Sequence, residues 1–289
     1  MYEILVKEDL TPTTKLFEIL APPVARKAQA GQFIIVRVDE RGERTPLTVA
    51  DYDRERGTIT IVVQAVGKTT MHMCTLQRGD HFAALTGPLG HPSEIKNYGT
   101  VVCIGGGSGI AAVYPLARAL KEAGNTVLSI IGVRNKDLLF WEDKVRAVSD
   151  ELIVCTDDGS HGREGVVTIP LKEMLDAGRT LDHVWAIGPP IMMQFCAFTT
   201  LPFRAPTTVS LNSVMVDGTG MCGACRVEVG GETQFACVDG PKFDGHQVDW
   251  GLFLARQRMY LDEEKQAVER WEQTCKQRPS DDARMEKAI

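Results

Sequence analysis

Short apolar runs separated by polar turns fill the first ~95 residues, the pattern of a small antiparallel barrel. Phe33–Val38 is apolar and ends at the polar stretch Asp39–Arg44. Thr58–Val63 follows Gly57, and His81–Leu85 follows Arg78-Gly79-Asp80. From Gly99 the rhythm becomes strand, glycine loop, helix, strand. Thr100–Ile104, Val127–Val133, Glu151–Cys155 and Asp182–Ile187 read as buried strands, and Ile110–Ala123, Leu138–Val148 and Leu171–Ala177 as helices. Alternation of this kind predicts parallel βαβ units. After Pro206, Arg226–Val229 and Thr233–Ala236 flank Gly230-Gly231 as a hairpin. From Gly251 the chain is helical and charged. Tyr260, Ala267, Trp271 and Cys275 fall on one side of it, which predicts packing on the body or on another subunit. The expected architecture is an antiparallel β-barrel over residues 1–97 and an α/β parallel-sheet nucleotide domain over 98–206. A small C-terminal subdomain over 207–250 and a helical tail over 251–289 follow.

Composition narrows the function classes. The 289 residues are 44% hydrophobic and 24% charged, an ordinary globular balance with room for two or three domains. A net charge of −6 offers no basic surplus for phosphate backbones, so nucleic acid is not expected as a partner. No apolar run approaches a membrane span, and the N-terminal residues carry no signal-peptide pattern. Eight cysteines then read as reduced thiols and metal ligands in a cytoplasmic protein.

The candidate chemistry lies in Asp217-Gly-Thr-Gly-Met-Cys222-Gly-Ala-Cys225, followed by Cys237. This is the spacing of a plant-type [2Fe–2S] ligand loop, C-x4-C-x2-C with a distant fourth cysteine, except that Asp217 stands in the first position. Zinc held by Cys222, Cys225, Cys237 and a fourth ligand such as His246 is the alternative, as is a set of plain buried thiols. Gly218, Gly220 and Gly223, interleaved with the ligands, favour a cluster wrapped by backbone amides. Cys74, Cys103, Cys155 and Cys196 read as core residues, Met192 and Met193 as packing, and His72, His81, His91, His161 and His183 show no catalytic spacing.

Three segments suit phosphates or a ring system. Gly105-Gly106-Gly107-Ser108-Gly109 joins a strand to a helix and offers backbone amides at a helix N-terminus. It departs from G-x-G-x-x-G because Ile110 fills the third glycine position, and Val133-Arg134-Asn135 lacks the expected acid after the second strand. Val66-Gly67-Lys68-Thr69-Thr70 begins another helix with amides and hydroxyls, and Thr45-Pro46-Leu47-Thr48 ends a barrel strand. Gly87-Pro88-Leu89-Gly90 reads as a turn between barrel and α/β domain.

In this order the motifs resemble the ferredoxin–NADP reductase superfamily over about residues 1–205. With the appended cysteine loop the chain is similar to two of its branches. One comprises the electron-transfer subunits of dihydroorotate dehydrogenase, whose cluster has four cysteine ligands. The other comprises the small subunits of NADH-dependent reduced ferredoxin:NADP+ oxidoreductases, in which an aspartate replaces one cysteine, as Asp217 does here. The resemblance implies that Pro46, Leu47 and Thr48 meet the flavin ring and ribityl chain, and that Val66, Gly67, Lys68, Thr69 and Thr70 meet the FAD diphosphate. Arg44 stands one place before the usual motif arginine, and by the resemblance it would reach toward the same diphosphate. Gly105, Gly106, Gly107, Ser108 and Gly109 would receive NAD(H). Asp157 and Asp158 would repel a 2′-phosphate and so prefer NADH. Ile187-Gly188-Pro189-Pro190-Ile191-Met192 replaces Cys-Gly-Pro-x-x-Met and puts Gly188 and Pro189 beside the nicotinamide. The implied function is electron transfer between NAD(H), FAD and a [2Fe–2S] cluster. The implied partners are a larger flavin/[4Fe–4S] subunit with an NADP(H) site and, through that complex, ferredoxin, in flavin-based electron bifurcation. A dihydroorotate dehydrogenase subunit is the second expectation, and a non-catalytic zinc-binding module on a nucleotide fold the third.

Overall fold

The computed structural model describes residues 2–277. Residues 278–289 and the Cys275 side chain, parts of the expected tail, lie outside the described residues. The N-terminal part runs β1 (Tyr2–Thr11), β2 (Thr14–Leu20), α1 (Pro22–Ala25), β3 (Phe33–Arg37), β4 (Thr45–Thr48), β5 (Asp51–Asp53), β6 (Thr58–Gln64), α2 (Lys68–Thr75), β7 (His81–Phe82) and β8 (Ala84–Leu89). Two antiparallel sheets result, ordered β5-β6-β2-β1-β7 and β4-β3-β8. Alternate residues of β6, Ile59, Ile61 and Val63, point into a core with Phe17, Ile19 and Phe82. The stretch Gly87–Leu89, expected as a turn, belongs to β8, because Leu89 pairs with Phe33 across the sheet.

The chain continues with β9 (Thr100–Gly106), α3 (Gly109–Glu122), β10 (Thr126–Val133), α4 (Glu142–Ala147), β11 (Glu151–Thr156), β12 (Arg163–Glu164), α5 (Thr168–Asp176), β13 (His183–Ile187), α6 (Pro190–Thr200) and β14 (Thr207–Ser210). Then come β15 (Arg226–Val229), β16 (Glu232–Phe235), β17 (Lys242–Asp244), α7 (Trp250–Arg256) and α8 (Leu261–Gln277). α3 is held to the sheet by buried Ile110, Val113, Leu116 and Leu120, each contributing roughly 1.5–3 kcal/mol. Only six residues of the expected Leu138–Val148 helix form α4, because Trp141 precedes it in the left-handed region (φ +57°).

The seven-stranded sheet is ordered β12-β11-β10-β9-β13-β14-β17, parallel except for β17. Strand order reverses about β9, which places the ligand crevice at the carboxyl ends of β9 and its neighbours. β14 and β17 bracket the cysteine loop, so the loop is sewn into this sheet at both ends. Phe33 and Ile35 of β3 share one packed core with Val102, Ile104, Cys225 and Cys237. Arg118 of α3 closes the other side of the junction on Asp51 of β5 at 2.8 Å. α8 packs along α2, with the Trp271 ring 4.7 Å from that of His72. Among the described residues no helix is long and apolar enough to cross a membrane.

Lys242 ties β17 to the barrel. Its half-buried amino group donates to the main-chain oxygens of Gly31, at 2.6 Å, and His91. Burial pulls its pKa down from 10.5 to about 7. A neutral amine has two N–H bonds, enough for these two acceptors. Between about pH 7 and 10.5 the unfolded chain binds the extra proton, so stability should rise with pH across that window, by roughly 1.4 kcal/mol per unit from this residue. Thermal melts at pH 6.5 and 9 should show this rise in the wild type and a smaller one in Lys242→Met. Equal rises in both would remove Lys242 as its source.

Candidate functional site

A cleft of about 1010 Å3 opens where the barrel, the α/β sheet and the segment leading to the cysteine loop meet. That is the upper end of the range for small-molecule sites. Its barrel wall includes Phe33, Pro46, Leu47, Thr48 and Gln64. The facing wall is built from the carboxyl ends of the parallel strands: Gly106, Gly107, Ser108 and Gly109 after β9, Arg134 after β10, Asp157 after β11, and Gly188 and Pro189 after β13. Ser210–Ser213, Met215 and Pro241 form the third side.

The turns after β9 and β13 are locked together. A Cβ at Gly109 would lie 2.7 Å from the Ile187 carbonyl carbon and 2.9 Å from Gly188 Cα, so only glycine allows this approach. Gly105 is buried in β9 and does not line the cleft. Asp158 does not line it either; its carboxylate accepts from Ser160 N at 3.0 Å, and the Ser160 hydroxyl first holds its pKa low. Met192, read from sequence as packing, lines the cleft, whereas Met193 is in the core. Sequence reasoning missed Phe33, Gln64, Arg134 and Ser210–Ser213. Arg134 and Ser210 carry one usable signal, their position at the end of a parallel strand.

Val66, Gly67, Lys68, Thr69 and Thr70 lie outside the cleft lining, at the start of α2. The Thr70 hydroxyl oxygen accepts from the amides of Val66 and Gly67, both at 3.1 Å, and fixes the turn. The Thr69 hydroxyl and Lys68 Nζ, the latter at 3.3 Å, donate to the Glu43 carboxylate. The Thr69 bond is the largest influence lowering the Glu43 pKa. A donor set that holds carboxylate oxygens is chemically suited to phosphate oxygens too. Arg44 points elsewhere: its Nη2 donates to the Asp217 main-chain oxygen at 3.3 Å.

In the cysteine loop, Cys225 and Cys237 are buried and Cys222 is exposed. The amide of Ala224, then those of Asp217 and Val216, pull the Cys222 thiol below its ordinary pKa, the direction a thiolate ligand requires. Burial, then the neighbouring Cys225 thiol, push Cys237 up to about 12, and the Gly220 amide opposes this. The Asp217 Oδ2 accepts from Thr219 N at 2.9 Å, Thr219 Oγ1 at 2.5 Å and Met221 N at 3.3 Å; Oδ1 takes part in none of these bonds. Three thiols, amide donors aimed at sulfur and a carboxylate anchored through one oxygen fit the chemistry of an iron–sulfur site. His246, one candidate for a fourth zinc ligand, has its Nε2 engaged with the Thr200 hydroxyl at 2.8 Å. Among the described residues no three His, Cys, Asp or Glu side chains are grouped to hold a single metal ion. Cys103 and Cys196 are core thiols pushed up to about 12 by burial.

Residues 212–249 match the iron–sulfur cluster binding domain of dihydroorotate dehydrogenase B. A Thermotoga maritima protein described as a dihydroorotate dehydrogenase B (NAD(+)) electron transfer subunit homolog is 49% identical, over 94% of this chain and 96% of its own. The electron transfer subunit from Bacillus caldolyticus is 36% identical over 78% and 88%. Among solved structures, a chain of an NADH-dependent reduced ferredoxin–NADP oxidoreductase studied for flavin-based electron bifurcation superposes with a TM-score of 0.89. It is 48% identical and covers 94% of this chain and 98% of its own. Phthalate dioxygenase reductase, at 17% identity and a TM-score of 0.57, shares the fold. The chain belongs to the family of dihydroorotate dehydrogenase B electron transfer subunits and their homologues, electron-transfer proteins on a ferredoxin reductase fold.

Proposed function

We propose that this chain is the small subunit of an electron-bifurcating NADH-dependent ferredoxin:NADP+ oxidoreductase, carrying electrons between NAD(H), FAD and a [2Fe–2S] cluster. One observation carries the reading: the cysteine loop packs on β3, the strand paired to the cleft-lining strand β4, with Ile35 opposite Pro46. A two-electron site and a one-electron site thereby share one core. When bound, FAD and the cluster supply the conversion between hydride exchange with NAD(H) and single-electron transfer.

The remaining work falls to the chain's own residues. Pro46, Leu47 and Thr48 form the wall for the flavin ring, and Gly67, Lys68, Thr69 and Thr70 receive its diphosphate in place of Glu43. The amides of Gly107–Gly109, at the N-terminus of α3, neutralise dinucleotide phosphates. Cys222, Cys225, Cys237 and the free Oδ1 of Asp217 are the iron ligands, while Oδ2 stays anchored in the loop. Cys222 is exposed beside Met221, which is 87% exposed, so the cluster end is the face for a larger partner subunit. The flavin domain is assigned to residues 1–97, the dinucleotide domain to 98–206, the cluster segment to 207–250 and the tail to 251–289, with β14 and β17 of the cluster segment completing the sheet of the dinucleotide domain.

Asp157, in the cleft, carries the NADH preference, whereas Asp158 is turned into its own loop. Asp157→Ser should lower the NADH:NADPH ratio of initial flavin-bleaching rates about tenfold, equivalent to about 1.4 kcal/mol. Asp158→Ser should leave it nearly unchanged. The opposite ranking would displace Asp157 from this role. The function itself is tested by purifying the chain anaerobically, with and without its partner, and assaying flavin, iron and visible absorption. FAD with about two irons per chain supports it; a colourless zinc protein overturns it. A co-purifying subunit with flavin and [4Fe–4S] clusters supports the bifurcating assignment. An FMN-containing dihydroorotate dehydrogenase in its place would move the chain to the other branch, which the name of the Thermotoga relative favours.

A further inference from the structure

Arg44 and Glu43 are consecutive, yet they serve opposite sides of the barrel edge. Glu43 takes Lys68 and Thr69 at the start of α2, while the Arg44 guanidinium reaches across 173 positions of sequence to the Asp217 main chain at 3.3 Å. The next residue, Gly218, is seated tightly on the barrel: at φ +84°, an added Cβ would come within 2.8 Å of the Ile35 side chain and 3.1 Å of Leu89. The first turn of the cysteine loop is thus pinned between the Arg44 head and the β3–β8 surface. Arg44 immediately precedes β4, the strand that lines the cleft.

We propose that Arg44 serves the iron–sulfur loop rather than the flavin diphosphate. It acts as a positioning residue that clamps the Asp217 main chain against the barrel and raises the reduction potential of the cluster. This rests on the [2Fe–2S] reading of the loop. The physical reason is that reduction adds negative charge to the cluster. A nearby cation stabilises the reduced state, and removing it shifts the midpoint to more negative potential. Because the guanidinium is exposed, solvent ions screen its effect, so the shift should shrink as salt is raised. A residue holding only the flavin diphosphate would instead change flavin affinity and leave the cluster untouched.

The test uses the full chain with Arg44→Gln and Arg44→Lys. It measures flavin and iron content, then the cluster midpoint by EPR-monitored redox titration at low and high salt. The expected result is unchanged flavin content in both variants. The midpoint of Arg44→Gln should be more negative, with a difference that shrinks in high salt, and Arg44→Lys should lie between it and the wild type. Loss of the cluster from Arg44→Gln, with retention in Arg44→Lys and flavin unchanged in both, supports the inference through the clamp. Loss of flavin with an unchanged midpoint overturns the inference and returns Arg44 to the diphosphate. No change in any readout overturns it as well. Absence of a two-iron cluster from the wild-type chain would be the failure of the underlying reading, and the iron assay identifies that case separately.

Discussion

Gly109→Ala should destabilise the chain and disable its dinucleotide site together. The new Cβ would collide with the Ile187 carbonyl, with its carbon at 2.7 Å, and with Gly188 Cα at 2.9 Å. Both neighbours are main chain, so no side chain can rotate away, and α3 or the β13–α6 turn must move. Overpacking against backbone belongs at the upper end of its usual cost, about 3 kcal/mol. For a chain of this size that lowers the melting temperature by roughly 6–12 °C. A displacement of this kind also misaligns the Gly107–Gly109 amides, which we propose receive the dinucleotide phosphates, and the wall formed by Gly188 and Pro189. NADH affinity should therefore fall on the order of tenfold to hundredfold. FAD content should persist, because the barrel wall and the α2 start lie outside the collision. Calorimetry and NADH titration of the flavin-loaded chain check both parts. A variant that melts and binds NADH like the wild type would mean that the two turns are not locked as described.

Cys225→Ser should abolish the cluster and leave the flavin. Cys225 is 2% exposed and packs in the core shared by β3 and the loop, next to Cys237. A serine hydroxyl is a harder and weaker ligand than thiolate, and here it would also be a polar group in an apolar site. Iron should drop from about two per chain to background, and the EPR signal of the reduced cluster should vanish. NADH should still bleach the flavin. Cys196→Ala, at a buried thiol on α6, is the control and should keep its iron. Full iron in Cys225→Ser, or loss of iron in the control, would contradict the ligand assignment.

The glycine turn between β9 and α3 and the cysteine-rich segment that matches the iron–sulfur domain were legible in the sequence because their signals are local, each within a few dozen residues. β9 and β10 were legible for a related reason, since buried parallel strands read as continuous apolar runs. Other elements gave weak signals. β1 is long, but its burial alternates irregularly, with bulges against β2. α6 carries apolar residues all round, with Ile191, Phe195 and Phe198 about half exposed, so it lacks the one-sided periodicity that marks a helix. β14 and β17 are only four and three residues long, and their place in the large sheet depends on pairing with distant strands. The direction of a side chain was least accessible. Asp157 and Asp158 are neighbours in sequence, and only one faces the cleft. Arg44 immediately precedes the cleft-lining strand β4 and reaches the cysteine loop instead. Those choices belong to tertiary packing, which no spacing rule encodes.

The most direct measurement of the central claim is an anaerobic titration of the isolated chain with NADH, followed by visible absorption and EPR on the same samples. Flavin bleaching accompanied by the EPR signal of a reduced [2Fe–2S] cluster is the predicted result, with Cys225→Ser showing the bleaching alone. An iron-containing chain whose cluster stays oxidised while NADH fully reduces its flavin would contradict electron transfer between the two sites.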